Sequence, residues 1–447
     1  SLLQASLGLA TTPPGSSVTG KLSHTRPSDL TSTIEAYLKG NGSMQPSPSN
    51  RFLEHLDTEA LIGFVQHLVQ IRSVNDPLVG ATEDAAAQAV VEIAKSFGWE
   101  PIVEYVQPGR PNVIVQLKGE QPGPHLIFEG HTDVVSEGDR NLWSFDPYGG
   151  DIVDGQLRGR GAADMKSGLG AMLYAARALE QSGELAGSLT LAALVDEEGL
   201  MLGVKDFVAK GYADGAIGAI VCEPEAGEVC TTQKGAIRLE VRFRGRIAHG
   251  AMPDQGANPI PAVADILAFA KHTERRLRRE YGADPLLGTI SITPTALTAG
   301  SRIQMNLTPP IATADFDIRT TPPIDHATLI AAFRHEVRAI ANASGTSGEI
   351  EVIDDRPPTS VTKEGPLVHA MVEAHRQVYG EAPAYGGVPG TTDGTILFRD
   401  AKLPVVVYGP GGKWIAHQAD EYVNVSEIIG AAKVYLLAAR ALLRPTQ

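Results

Sequence analysis

At 447 residues the chain exceeds what one compact core supports, and two or three domains are expected. With 43% hydrophobic and 20% charged residues it has an ordinary globular make-up, and no run approaches the roughly 18–20 uninterrupted apolar residues of a membrane span. The formal charge of -14 excludes the basic footprint that a nucleic-acid partner requires, while leaving room for carboxylates that serve as metal ligands.

Residues 1–50 are rich in Ser, Thr, Pro and Gly and read as an arm or linker, with one helical candidate near Leu30 to Leu38. The chain opens on Ser1, so a processed start is open, but SLLQASLGLA lacks the basic flank of a signal peptide. A helix is predicted through Leu61, Phe64, Val65 and Leu68, and another from Asp84 to Phe97. Short apolar runs then alternate with amphipathic stretches. Leu126-Ile127-Phe128, Leu189 to Val195, Ala216 to Val221 and Val405-Val406-Val407 read as buried strands. Between the first two, Leu169, Met172, Leu173, Ala176 and Leu179 have helical spacing, ended by Gly183. Such alternation indicates an α/β domain with a mostly parallel sheet.

The pattern changes near Gly235. Ile237, Leu239, Val241 and Phe243 alternate with Arg238, Glu240, Arg242 and Arg244, as in a strand with one solvated face. A helix from about Ala262 to Arg279 follows, then strands near Thr289 to Ile292 and Ala312 to Ile318. A helix through Leu329, Phe333, Val337 and Ile340 precedes a last strand over Glu349 to Ile353. The order β-α-β-β-α-β predicts a ferredoxin-like domain over 235–355, inserted in a discontinuous domain of 51–234 and 356–447. Two cysteines, Cys222 and Cys230, are too few for a disulfide framework and make a reduced, cytoplasmic setting the default.

The acidic and histidine residues of interest sit just beyond the buried strands. His131-Thr132-Asp133 follows the first, Asp196-Glu197-Glu198 the second and Glu223 the third, and His417 lies a loop beyond the fourth. Asp164 stands in the Gly-rich turn RGRGAADMKSG. Taken singly, a histidine is more often a hydrogen-bonded structural residue, and a Glu-Glu pair a solvated helix start. Their shared position at strand ends is what matters, because ligands of open parallel sheets bind there. Carboxylates gathered in one cleft repel one another unless cations offset them. Two histidines and three carboxylates, one of them shared, suit a pair of ions such as Zn²⁺.

The runs EGHTDVV, W-S-F-D-P, GRGAADMKSG, DEEG, CEPE, AHG..P..G.N and GPG followed by A-H-Q-A-D-E-Y occur in that order from about Leu61 onward. Together they resemble the dinuclear-zinc metallopeptidase and deacylase family of succinyl-diaminopimelate desuccinylase, acetylornithine deacetylase, carboxypeptidase G and aminoacylase. The resemblance implies two divalent metal ions per chain, zinc first, with cobalt or manganese as alternatives. It implies that His131 and Glu223 hold one ion and Glu198 and His417 the other, with Asp164 bridging. Asp133 would orient the His131 imidazole, and Glu197 would be the general base to a metal-bridged hydroxide. The inserted domain would be a lid and dimerisation domain of a homodimer, with His249 reaching the partner's site to stabilise the oxyanion. Asn306, Arg319, Gly390, Thr391 and Thr392 match positions lining the substrate pocket.

The implied reaction is hydrolysis of the amide bond of an N-acyl-amino acid or small peptide, with a dipeptidase or carboxypeptidase as the alternative on the same residues. A non-catalytic relative would lack the base or the bridge, and both Glu197 and Asp164 are present. A nucleotide-dependent reading of the Gly-rich turn lacks the GxxxxGK[ST] spacing. Several residues keep a structural alternative. His249 can be a plain loop histidine, Asn306 a turn residue, and Arg319 can pair with Asp315 or Asp317 rather than grip a substrate carboxylate. Trp143 and Cys222 read as packing residues. Ser167, where many members have Gly, and Met201-Leu202 after DEEG depart from the family pattern without touching a ligand position.

Overall fold

The computed structural model describes residues 48–76, 80 and 82–444. The expected arm and its helical candidate lie outside the described residues, except that residues 48–50 open a 3-10 helix, Pro48–His55. Helix α1 (Thr58–Gln70) begins where the Asp57 carboxylate accepts the Ala60 N–H at 3.0 Å, satisfying a donor the first turn leaves unpaired. Leu61, Phe64, Val65 and Leu68 share its buried face, as their spacing requires. Helix α2 (Asp84–Ser96) buries Ala86, Ala87, Val90 and Ala94.

Two strands absent from the sequence reading follow, β1 (Ile102–Gln107) and β2 (Arg110–Lys118), paired as an antiparallel hairpin. β1 is an edge strand with no fully buried residue, and β2 opens on Arg110-Pro111-Asn112, which leaves only Val113-Ile114-Val115 as an apolar run, so neither carries a clean period. The chain continues through β3 (His125–His131), the short β4 (Ile152–Val153) and β5 (Gln156–Arg158), then α3 (Ser167–Gln181) and β6 (Ser188–Leu194). Helix α4 (Leu202–Ala209), β7 (Ala216–Val221) and β8 (Val229–Gln233) complete the first half of this domain.

After Lys234 comes β9 (Gly235–Arg244), followed by α5 (Pro259–Tyr281), β10 (Ser291–Ala299), β11 (Ile311–Thr320), α6 (His326–Ser344) and β12 (Ser347–Arg356). These strands form a separate antiparallel sheet in the order β10-β11-β9-β12, the ferredoxin-like arrangement. Ile237, Leu239, Val241 and Phe243 pack with Val263, Ile266, Phe333 and Val337 of α5 and α6 in one core. The expected strand near Thr289 to Ile292 instead runs Ser291–Ala299. Its later residues are exposed and its Pro294 lies on the sheet edge, so the extension has no hydrophobic alternation to announce it.

The chain then returns through β13 (Thr359–Ser360), α7 (Pro366–Tyr379), β14 (Tyr385–Val388), α8 (Gly394–Asp400), β15 (Val405–Val407), β16 (Tyr422–Asn424) and α9 (Val425–Leu443). The large sheet has the order β1-β2-β6-β3-β7-β15-β8-β13, with β14 beside β8. Its centre, β6-β3-β7-β15, is parallel. The β1-β2-β6 margin and the β15-β8-β13 pairings are antiparallel. Leu169, Met172, Met371, Ile428 and Tyr435 cover one face over Leu126, Phe128 and Leu191. Val204, Phe207, Ile396 and Leu397 cover the other over Ile127, Leu194 and Val221. Burial on both faces is why the central strands are continuous apolar runs.

Candidate metal centre

Four neighbouring parallel strands each deliver a candidate residue at the carboxyl end. His131 is the last residue of β3, Asp196 to Glu198 follow β6, Glu223 follows β7, and His417 lies on the loop after β15. Asp164 enters from the kinked turn before α3, which Gly161 opens at φ +82°. Close packing brings this turn to the sheet: a side chain at Gly168 would place its Cβ 1.9 Å from the Cys222 carbonyl oxygen. Only glycine permits that approach of helix to strand end.

Asp164 stands between the two histidines. Its Oδ1 is 3.2 Å from His131 Nε2 and its Oδ2 is 3.1 Å from His417 Nε2. Glu223 Oε1 lies 3.3 Å from His131 Nε2, and Glu198 Oε1 lies 2.8 Å from His417 Nε2. The donors therefore fall into two groups that share one carboxylate. His131 Nε2 and Asp164 Oδ1 are buried, face each other and have no aligned hydrogen bond. Ligand atoms converging without satisfying one another fit a cation between them. Glu197 is also near: ligand atoms of His131, Glu197 and Glu223 all lie within 4.8 Å of one another.

The electrostatics of the metal-free site point the same way. Burial raises the Glu223 carboxyl to about 8, helped by the Asp164 charge. Burial, with Glu223 and Glu198 nearby, pushes Glu197 well above the carboxylate range. His417 is pushed up to about 11 by its hydrogen bonds to Asp164 and Glu198. Burial disfavours the His131 imidazolium, but the Glu223 and Asp164 carboxylates outweigh it and hold the imidazole well above its ordinary value. Protons on the two imidazoles thus supply the positive charge that the carboxylates demand, the role a bound cation takes over.

Supporting residues fix the ring and the loops. His131 Nδ1 is 3.0 Å from the Asp133 carbonyl oxygen and 3.6 Å from its carboxylate, so the carbonyl rather than the carboxylate is the near partner. The Asp133 carboxylate instead accepts the backbone N–H groups of Glu197 at 3.3 Å and Glu198 at 3.1 Å. Asp196 organises the same turn by accepting from Arg110 at 2.7 Å and from the N–H of Leu200 at 3.0 Å. Arg110 is held in turn by buried Glu83. Glu421, fully buried, accepts the N–H groups of Ala163 at 2.9 Å and Asp164 at 3.0 Å. The roles of Arg110, Glu83 and Glu421 were not foreseen; only Glu421 lies in a motif run, and nothing local reveals what it binds.

The remaining expected residues lie around this centre or on the second domain. His249 pairs with Leu307 in an isolated antiparallel bridge and Gly250 N–H donates to the Asn306 carbonyl at 2.7 Å, so His249 and Asn306 share one exposed loop cluster. Their described hydrogen bonds stay within this loop cluster, as from Ala251 N–H to His249 Nδ1 at 3.1 Å. Arg319 donates to Asp317 through Nε at 2.6 Å and Nη2 at 3.0 Å, the structural alternative its sequence allowed. Thr391 accepts from Arg356 at 3.2 Å, and the Thr392 N–H and hydroxyl donate to Gln233. Trp143 is buried with its Nε1–H donating to the Glu137 carbonyl at 2.9 Å, and Cys222 is buried with its thiol pushed up by burial.

Residues 127–441 match the profile of peptidase family M20/M25/M40. A succinyl-diaminopimelate desuccinylase from Phenylobacterium zucineum is 34% identical over 324 residues, covering 70% of this chain and 82% of that protein. Among solved structures, aminopeptidase PepT from Bacillus cereus superposes with a TM-score of 0.68 at 19% identity, covering 87% of this chain and 99% of that one. A dinuclear metal binding peptidase of the M20 family from Bacillus subtilis gives 0.63 at 18% identity, covering 86% and 98%.

Proposed function

The chain belongs to peptidase family M20/M25/M40 and is a metal-dependent hydrolase of amide bonds, and from that premise we propose that it cleaves an N-acyl-amino acid or small peptide at a two-zinc centre. In this reading His131, Asp164 and Glu223 hold one ion and Asp164, Glu198 and His417 the other. The observation that carries it is the Asp164 carboxylate, which turns one oxygen toward each histidine. When bound, the ions supply Lewis acidity and bring the pKa of water toward neutrality.

The protein residues then divide the remaining work. Glu197, on the same turn as Glu198 but free of the His417 group, takes a proton from water and returns it to the leaving amine. Its burial among carboxylates favours proton uptake, the property a base needs. The Asp133 carboxylate fixes the peptide N–H groups of Glu197 and Glu198, and its carbonyl fixes the His131 ring. Gly390, Thr391 and Asn306 are proposed to line the acyl and amine subsites. At Arg319 a substrate carboxylate would have to exchange for Asp317.

The second domain is proposed as the lid and the dimer contact. Its edge strand β10 is long, uncharged and exposed, with Leu297 at 60% exposure, and nearby Ile303 and Met305 are 94% and 87% exposed. An edge of this kind invites pairing with a second copy. His249, on the same face as Asn306 and outside its own chain's centre, then acts across the dimer as an oxyanion donor. A panel of N-acyl-amino acids and dipeptides, assayed on metal-free enzyme and after readdition of Zn²⁺, Co²⁺ or Mn²⁺, tests the reading. Metal-restored hydrolysis of at least one substrate class is expected, and the preferred class separates deacylase from peptidase. No restored amide cleavage across the panel would overturn it.

A further inference from the structure

A second cluster lies beside the candidate centre. Ligand atoms of Glu225, Glu228 and Cys230 fall within 4.8 Å of one another, as in a small cation site. That place is filled by the chain itself: the Lys413 ammonium donates to Glu225 Oε2 at 2.7 Å, to Glu228 Oε2 at 2.7 Å and to the Gly387 carbonyl at 3.3 Å. The Glu225 and Lys413 side chains are only 3% and 14% exposed, so this is a largely desolvated ion pair rather than a surface one.

The three partners of Lys413 come from two other parts of the site. Glu225 and Glu228 lie on the segment that follows Glu223, Gly387 belongs to β14 just before the Gly390–Thr392 turn, and Lys413 itself is on the loop that carries His417. That loop is anchored at its two ends, with Lys413 between them. Its base is fixed by Ala226 N–H donating to the Gly411 carbonyl at 2.8 Å and Gly411 N–H to Glu427 at 3.0 Å. Its far end is fixed by Asp420, which accepts the Ser144 N–H at 2.7 Å, and by buried Glu421. Between Gly411 and His417 the described backbone bonds are internal, as from Ile415 N–H to Gly412. His417 stands at φ +66° with its side chain 52% exposed, touching the cluster only through Nε2.

We infer that Lys413 is a positioning residue, an internal cation that locks the His417 loop onto the Glu223 segment and β14 and thereby sets the spacing between the two halves of the metal centre. This rests on the ligand assignment proposed above. Losing the tie loosens residues 412–417, ahead of the Asp420 and Glu421 anchors, while leaving His131, Asp164 and Glu223 on β3, the α3 turn and β7. The two sites should therefore respond unequally, which general destabilisation would not produce.

The test is calorimetric titration of metal-free wild type, Lys413→Met and Lys413→Arg with Zn²⁺ against a competing chelator, alongside circular dichroism of each metal-free protein. Wild type is expected to take two ions. Lys413→Met should keep one site near wild-type affinity and weaken the other by about tenfold or more, while Lys413→Arg retains both within about threefold. Equal weakening of both sites, or of neither, would overturn the inference. If Lys413→Met fails to fold, Glu228→Gln keeps the ammonium and one carboxylate, and should weaken the same single site by about threefold. No selective weakening there would also overturn it. A wild type that binds fewer than two ions would instead overturn the ligand assignment, and this inference with it.

Discussion

Replacing Glu197 with glutamine tests most sharply how the site divides its labour. The amide has the shape of the carboxylate but cannot accept a proton. Glu197 lies close enough to His131 and Glu223, within 4.8 Å by ligand atoms, that the geometry also admits it as a third ligand of the first ion. The two roles predict different outcomes. If Glu197 is the base, removing proton transfer lowers kcat by about 10²- to 10⁴-fold. That corresponds to roughly 3–5 kcal/mol of barrier. The metal content stays at two ions per chain. The metal-free protein should not lose stability, because burial, with Glu223 and Glu198 nearby, already pushes Glu197 toward its neutral form, whose charge the amide shares. The assay pairs steady-state kinetics on the best panel substrate with elemental analysis of the dialysed variant. A loss of one ion, or a fall in kcat under about tenfold, would refute the reasoning.

Three further outcomes follow from the geometry. Gly168→Ala drives a Cβ against the Cys222 carbonyl oxygen at 1.9 Å, where neither backbone can yield cheaply. We expect about 1–3 kcal/mol of destabilisation in chemical denaturation, with weakened metal binding because Asp164 is carried by the displaced turn. Mixing refolded Glu197→Gln and His249→Ala chains should restore about a quarter of wild-type activity, since half of the resulting dimers hold one site with its own Glu197 and the partner subunit's His249; no gain over the separate variants would exclude a role for His249 across the dimer. Chelation should lower the melting temperature and readdition of Zn²⁺ raise it again, because ions that bind only the folded centre contribute about 2.7 kcal/mol at a hundredfold excess over Kd. An unchanged melting curve would mean that the carboxylate cluster does not hold them.

The parts of this site that were legible in the sequence are those fixed by local chemistry. Buried parallel strands must be continuous apolar runs, so Leu126 to Phe128, Leu189 to Val195 and Ala216 to Val221 marked themselves, and the polar residues at their ends stood out by position. Period-two alternation revealed β9 in the same way. What stayed hidden depends on partners distant in the chain. Arg110 meets Asp196 86 residues on, and Glu421 reaches back 257 residues to the Asp164 N–H. Neither pairing leaves a trace in spacing. β1 left no pattern because an exposed edge strand has no fully buried face to impose one, and the buried apolar stretch of β2, Val113-Ile114-Val115, is too short to mark itself. Arg319 shows the limit of single-residue reading: the sequence offered both a substrate grip and an ion pair, and its guanidinium lies on Asp317.

The central claim is that Asp164 bridges two cations, one shared with His131 and Glu223 and the other with Glu198 and His417. Anomalous diffraction from crystals of the zinc-loaded protein tests it directly. Two strong zinc peaks are expected, each within coordination distance of a different Asp164 oxygen, with His131 at one and His417 at the other. A single peak, or two peaks with Asp164 bound to neither, would contradict it.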